Sequence, residues 1–175
     1  MEDLGWLKDH VRDIPDFPQP GVVFKDITPL LANGAALAEC VGALAGAFRG
    51  RRVDKVLGVE ARGFIIAAPV AVELGAGFIP VRKAGKLPWR VSTEAYELEY
   101  GNATLEIHHD AVRSRERVLI IDDVLATGGT AAASARLVRS LGGDVVGFGC
   151  IIELGFLEGR GKLGDMKVVS LINYE

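Results

Sequence analysis

The chain has 175 residues, 49% hydrophobic and 25% charged, with a formal net charge of −3 and two cysteines. That length buries a sizeable core in one domain without disulfides or metal, and the negative balance argues against nucleic acid as a partner. Cys40 and Cys150 lie far apart in apolar contexts without zinc-ligand spacing, the pattern of reduced core thiols in a cytoplasmic protein.

Asp3 to Val11 can form a short helix with Leu4, Leu7 and Val11 on one face. Pro15, Pro18 and Pro20 then enforce an extended path, leading into a short strand or extended segment at Val22-Val23-Phe24. From composition alone Phe24 reads equally as a core aromatic or as a site residue. Asn33 to Phe48 is an amphipathic helix, with Leu37, Cys40, Val41, Leu44 and Phe48 on one face and Asn33 as its N-cap. Lys55 to Val59 reads as a strand that ends in Glu60-Ala61-Arg62-Gly63. Phe64 to Leu74 suits a helix, although its β-branched residues and Pro69 leave a strand open. Its apolar run, Phe64 to Val72, is the longest in the chain and too short to cross a bilayer. The N-terminus is acidic and lacks a signal core, so no membrane partner is expected.

Phe78 to Val81 is the next strand, leading into the basic run Arg82-Lys83-Ala84-Gly85-Lys86. That run reads either as a solvated loop or as cations placed to neutralise a diphosphate. Leu87 to Leu98 has no clean period, and Glu94 to Ile107 alternates as a β-hairpin turning at Gly101-Asn102. Glu99 within it is either a solvent-face strand residue or a functional acid. His10, His108 and His109 lack a ligand pattern and are expected at the surface. Beyond the central stretch, Ala131 to Leu141 is a helix, Asp144 to Ile152 a strand, Leu154 to Gly164 a loop and Lys167 to Ile172 a final strand. Alternating strands and helices predict an α/β fold with a parallel sheet.

The chain is organised around Val118 to Thr130, VLIIDDVLATGGT. Val118 to Ile121 is the continuous apolar run of a strand buried on both faces, expected to end at Asp122 and Asp123. A small-residue loop and a helix start follow, and open α/β sheets bind ligands beyond such strand ends. Gly128 and Gly129 let the backbone approach an anion, free N–H groups at the helix start favour a phosphate, and Thr127 and Thr130 add donors. Two carboxylates suit sugar hydroxyls, or Mg²⁺ carried by a diphosphate. The stretch reads as a ribose 5-phosphate site rather than an ordinary βα turn.

DDVLATGGT closely resembles the phosphoribosyl-diphosphate (PRPP) motif of the type I phosphoribosyltransferases. IPDFPQPGVVFKDITPLL (Ile14 to Leu31), EARGF (Glu60 to Phe64), VRKAGKLP (Val81 to Pro88), LEYG (Leu98 to Gly101) and IIEL (Ile151 to Leu154) with Gly159-Arg160 follow the order seen in the adenine-specific branch. The resemblance implies one phosphoribosyltransferase domain over 1–175 with a parallel sheet and flanking helices. It also implies a small N-terminal hood at 1–33 and a flexible loop and hairpin at 82–107 that closes over the site. Asp122 and Asp123 would hold the ribose hydroxyls, and Ala126, Thr127, Gly128, Gly129 and Thr130 the 5′-phosphate. Arg62, Arg82, Lys83 and Lys86 would bind diphosphate, in cis or across a dimer. Val23, Phe24, Lys25 and Val124 would enclose adenine, with Lys25 unable to reproduce an arginine fork. Glu99 would be the acid/base residue with Tyr100 beside it, Mg²⁺ the cofactor near Asp122 and Asp123, and a homodimer the assembly. The implied reaction makes AMP and diphosphate from adenine and PRPP. A 6-oxopurine phosphoribosyltransferase and a non-catalytic PRPP-sensing regulator stand as the alternatives.

Overall fold

A computed structural model describes residues 4–97 and 102–175. The chain opens with a 3-10 turn, Gly5–His10, and a small antiparallel pair, β1 (Arg12–Ile14) with β2 (Phe24–Asp26). A short helix, α1 (Thr28–Ala32), leads into α2 (Gly34–Phe48). Asn33 caps α2 as its sequence predicts, its Oδ1 accepting from the N–H groups of Ala35 and Ala36 at 3.0 and 3.1 Å. Alternation of β3 (Lys55–Val59), α3 (Arg62–Leu74), β4 (Gly77–Lys83), β7 (Arg117–Leu125), α4 (Gly129–Ser140), β8 (Asp144–Leu154) and β9 (Val168–Tyr174) builds the parallel core. Two further strands, β5 (Val91–Glu97) and β6 (Asn102–His108), form an antiparallel hairpin whose second strand joins β4. The sheet order is β5-β6-β4-β3-β7-β8-β9.

Burial follows the two-residue period of the strands. In β7, Leu119 and Ile121 face α2 and α3, while Val118 and Ile120 join the core under α4. Helices cover both faces, so β7 reads as an unbroken apolar run in the sequence. Phe64 to Leu74 is helical despite Pro69, because Ile66, Ala67, Val70 and Ala71 form one buried stripe. Gly75, in the left-handed region at φ 65°, ends that helix while the Ala76 N–H bonds back to Ala71. In α2 the buried residues are Ala36, Cys40, Leu44, Ala45 and Phe48. Leu37 and Val41, expected on that face, lie half-buried at its edge, along a groove shared with Pro69.

One expected boundary is corrected. β7 does not end at Ile121 but runs on through Asp122 and Asp123 to Leu125. Its pairing with β3 stops at Gly58↔Ile121, while its pairing with β8 continues to Leu125↔Glu153. A neighbour on one side is enough to keep the strand extended after the other has turned away. The chain also reverses its direction of sheet growth between β3 and β7, the arrangement that opens a crevice beyond the strand ends. The N-terminal strand is displaced as well: Phe24 opens β2 rather than closing a strand over Val22 to Phe24.

Phe48 is fully buried between α2 and the sheet. Phe48→Ala is expected to cost about 3–5 kcal/mol, read as a lower urea midpoint with an unchanged slope.

Candidate active site

The crevice between β3 and β7 collects most of the residues that the sequence singles out. Asp122, Val124, Leu125 and the 126–131 segment line one cavity of about 120 Å³. Asp122, Asp123 and Thr130 also border a second of about 300 Å³, together with Val59, Glu60, Lys83 and Tyr96. The two cavities therefore share the strand end and the helix start.

The loop from Ala126 to Thr130 has a shape that only glycine permits. Gly128 sits at φ +77°, and a Cβ there would come within 2.2 Å of the Gly159 carbonyl oxygen. A Cβ on Gly159 would in turn lie 2.1 Å from the carbonyl oxygen of Ala126. Two backbones pack with no room for a side chain, which turns the loop into the first turn of α4. The N–H groups opening α4 have no partner within the helix, and the helix dipole adds to their pull on an anion. Thr130 Oγ1 donates to the Tyr96 hydroxyl at 3.3 Å, tying the helix start to the hairpin. A second tie is the ion pair of Arg136 with Glu94 at 2.5 Å.

Both aspartates are buried in the sheet's end, Asp122 8% and Asp123 7% exposed. Asp122 Oδ1 accepts the Asp123 N–H at 2.8 Å. It also packs against Gly63, where a Cβ would fall 2.9 Å from that oxygen. Burial, and then the neighbouring Asp123 carboxylate, push the Asp122 carboxyl well above its ordinary range. Asp123 is answered by Arg62, whose Nε donates to Oδ2 at 2.5 Å. The same guanidinium lies 5.2 Å from the centre of the Phe24 ring. Phe24 in turn packs edge-on against Phe17. The N-terminal segment, the start of α3 and β7 thus meet through one arginine.

Past the cis Glu60–Ala61 peptide bond, Glu60 gathers the basic run. Its carboxylate accepts from Arg82 Nη2 at 3.0 Å, the Lys83 N–H at 3.0 Å and Lys86 Nζ at 2.7 Å. Burial alone would raise this carboxyl, but the bonds from Lys86, Arg82 and Lys83 outweigh it and bring it down to about 2.

Other expected residues fall elsewhere. The Lys25 ammonium is drawn to Asp13 at 2.7 Å and sits 4.2 Å from the centre of the Tyr174 ring. Alternation along β2 puts it on the side opposite Phe24. Val23 is half exposed just ahead of β2. Glu99 and Tyr100 lie outside the described residues. Glu60, Tyr96 and Gly159 carried no assigned role in the sequence reading. Gly159 entered only with Arg160 as part of the family order, and Tyr96 only through the alternation of the hairpin. Arg160 itself bonds the buried Glu153 through two nitrogens, at 2.5 and 2.6 Å, anchoring the segment that bears Gly159.

Residues 26–172 match the family model described as a phosphoribosyl transferase domain. The adenine phosphoribosyltransferase of Thermobifida fusca is 61% identical over 170 residues, covering 97% of each chain. The chain belongs to the adenine phosphoribosyltransferase family. The solved adenine phosphoribosyltransferase of Thermoanaerobacter pseudethanolicus is 51% identical with a TM-score of 0.95, covering 98% of this chain and 99% of that one. The Saccharomyces cerevisiae enzyme, crystallised with an imino-altritol bisphosphate and adenine, is 38% identical with a TM-score of 0.90, covering 96% and 97%. Family membership makes the chain an enzyme of the phosphoribosyltransferase class, with the α/β architecture described above.

A carboxyl whose proton is held more tightly in the fold than in the open chain destabilises the fold as pH rises through that interval. For Asp122 the loss begins above its ordinary value of 3.8. Asp122→Asn keeps the acceptor for the Asp123 N–H and removes the buried charge. Near neutral pH it is expected to raise Tm by about 2–4 °C, the shift that ~1 kcal/mol produces at this chain length. The gain should vanish in acid, where Asp122 is neutral in both states, and thermal melts across pH check it.

Proposed function

We propose that this protein transfers the 5-phosphoribosyl group of PRPP to adenine, giving AMP and diphosphate in purine salvage. The observation that carries the reading is the notch at Asp122: buried carboxylates on one side, an open helix start on the other, one sugar phosphate apart in kind. Asp122 and Asp123 accept the ribose hydroxyls, and the 126–130 loop takes the 5′-phosphate. Asp123 gains its sugar contact as Arg62 moves off it, freeing that guanidinium for the diphosphate end. Phe24 and Val124 supply apolar walls, and backbone groups near Val23 and Lys25 read the edge of the base.

Glycosidic bond exchange builds positive charge on the ribosyl carbon and negative charge on the departing diphosphate. Arg82, Lys83 and Lys86 lie beside the crevice and stabilise that leaving group, as preorganised charges do. Glu99 manages the purine imidazole proton, with Tyr100 beside it, worth about 10²–10⁴-fold for a positioned acid/base group. The donor set suits Mg²⁺, which takes one or two carboxylates together with substrate phosphate oxygens. Asp122, whose Oδ1 accepts the Asp123 N–H, would hold it. A Mg²⁺ held there would supply charge neutralisation of the diphosphate. The hairpin excludes water from the closed site.

Among the described residues no helix is long and apolar enough to cross a membrane; the enzyme is proposed to be cytoplasmic. Val72 and Ile65, 82% and 47% exposed on α3, support a homodimer that covers them.

Incubation with PRPP, Mg²⁺ and adenine, hypoxanthine, guanine or xanthine in parallel tests the reading. AMP from adenine alone is expected, and Glu99→Gln should lower kcat by about 10²-fold or more with little change in PRPP binding. Product from an oxopurine would move the chain to the neighbouring specificity. PRPP binding without product from any base would favour the regulator.

A further inference from the structure

Resting on the reading of Arg82, Lys83 and Lys86 as the diphosphate end of the site, we infer that Glu60 is the positioning residue that assembles them. Three cations stand within five residues of chain at 82–86, and like charges that close repel. Glu60 counters this by accepting from Arg82 and from Lys86 on the same oxygen, Oε1, and from the Lys83 backbone on the other. Arg82 Nη1 closes the loop by donating to the Lys86 carbonyl at 3.1 Å. The arrangement is held at a cost: Arg82 Nε is buried with no hydrogen-bond partner among the described residues. A guanidinium free to choose its own pose would not strand that donor.

The carboxylate leaves the loop positively charged. One anion offsets one of three cations, and the Lys83 ammonium has no partner among the described residues. Lys83 and Glu60 border the same 300 Å³ cavity as Asp122 and Asp123, and Arg82 and Lys86 reach that border through Glu60 Oε1. Glu60 is fixed in turn by its place between Val59, the end of the central strand β3, and α3. The turn after β3 and the end of β4 with Lys86 beyond it are thereby joined by one side chain, and the cations need not be gathered when diphosphate binds. Preorganisation of that kind removes an ordering cost from binding.

Calorimetric titration of the full chain with inorganic diphosphate and, separately, with AMP tests the inference. Glu60→Gln keeps the side-chain volume and loses the charge. It is expected to weaken diphosphate by about tenfold while AMP, which makes no use of the basic loop, stays within about twofold of wild type. Glu60→Asp keeps the charge one methylene short and should weaken diphosphate less than Gln does, again sparing AMP. It carries the test alone if the Gln variant does not fold. Unchanged or tighter diphosphate binding in the variants would overturn the inference, the latter by making Glu60 a competitor for the cations. Equal loss of AMP and diphosphate would also overturn it, as a general support role. Wild-type protein that binds AMP but not diphosphate would remove the reading of the basic loop and the inference with it.

Discussion

The site depends on β7 outrunning β3. Both strands lie at the centre of the sheet, and as far as Ile121 each covers the other's backbone. Beyond that point β8 alone holds β7, so Asp122 and Asp123 stay in extended geometry with one flank open. A strand that stopped at Ile121 would leave both carboxylates on a loop in water, with ordinary acidity and no fixed direction. Keeping the strand intact puts a carboxylate where burial and a like charge act on it together, which is what raises the Asp122 carboxyl.

Three carboxylates around the crevice are answered by cations from other elements, while Asp122 is held by a backbone N–H instead. Asp123 takes Arg62 from the start of α3, Glu60 takes Arg82 and Lys86 from the end of β4 and beyond, and Glu153 takes Arg160 from the segment after β8. These pairs are half-buried, so their worth is modest against hydrophobic burial. Their consequence is geometric. They fix three chain segments around the crevice, and the Gly128–Gly159 contact locks the 126–130 loop against the third.

The α/β succession was legible because buried parallel strands and amphipathic helices carry strong periods. The motif from Asp122 to Thr130 was legible because few local structures need two acids, small residues and hydroxyls in that order. What stayed hidden is set by long-range pairing. The extension of β7 to Leu125 follows from register with β8, which no local period encodes. Tyr96 reaches Thr130 across 34 positions of chain. The helix over Arg62–Leu74 was ambiguous because β-branched residues and Pro69 weaken local propensity, and packing against the sheet decides the matter. Lys25 next to Phe24 reads as a site neighbour in sequence, yet strand alternation turns it to Asp13 and Tyr174.

A crystal structure of the protein soaked with AMP tests the central claim most directly. The account predicts the phosphate within the 126–130 loop, the ribose hydroxyls on Asp122 and Asp123, and the base against Phe24 with Arg62 moved aside. A nucleotide phosphate seated on Arg82 and Lys86 instead, or a ribose away from the β7 end, would contradict it.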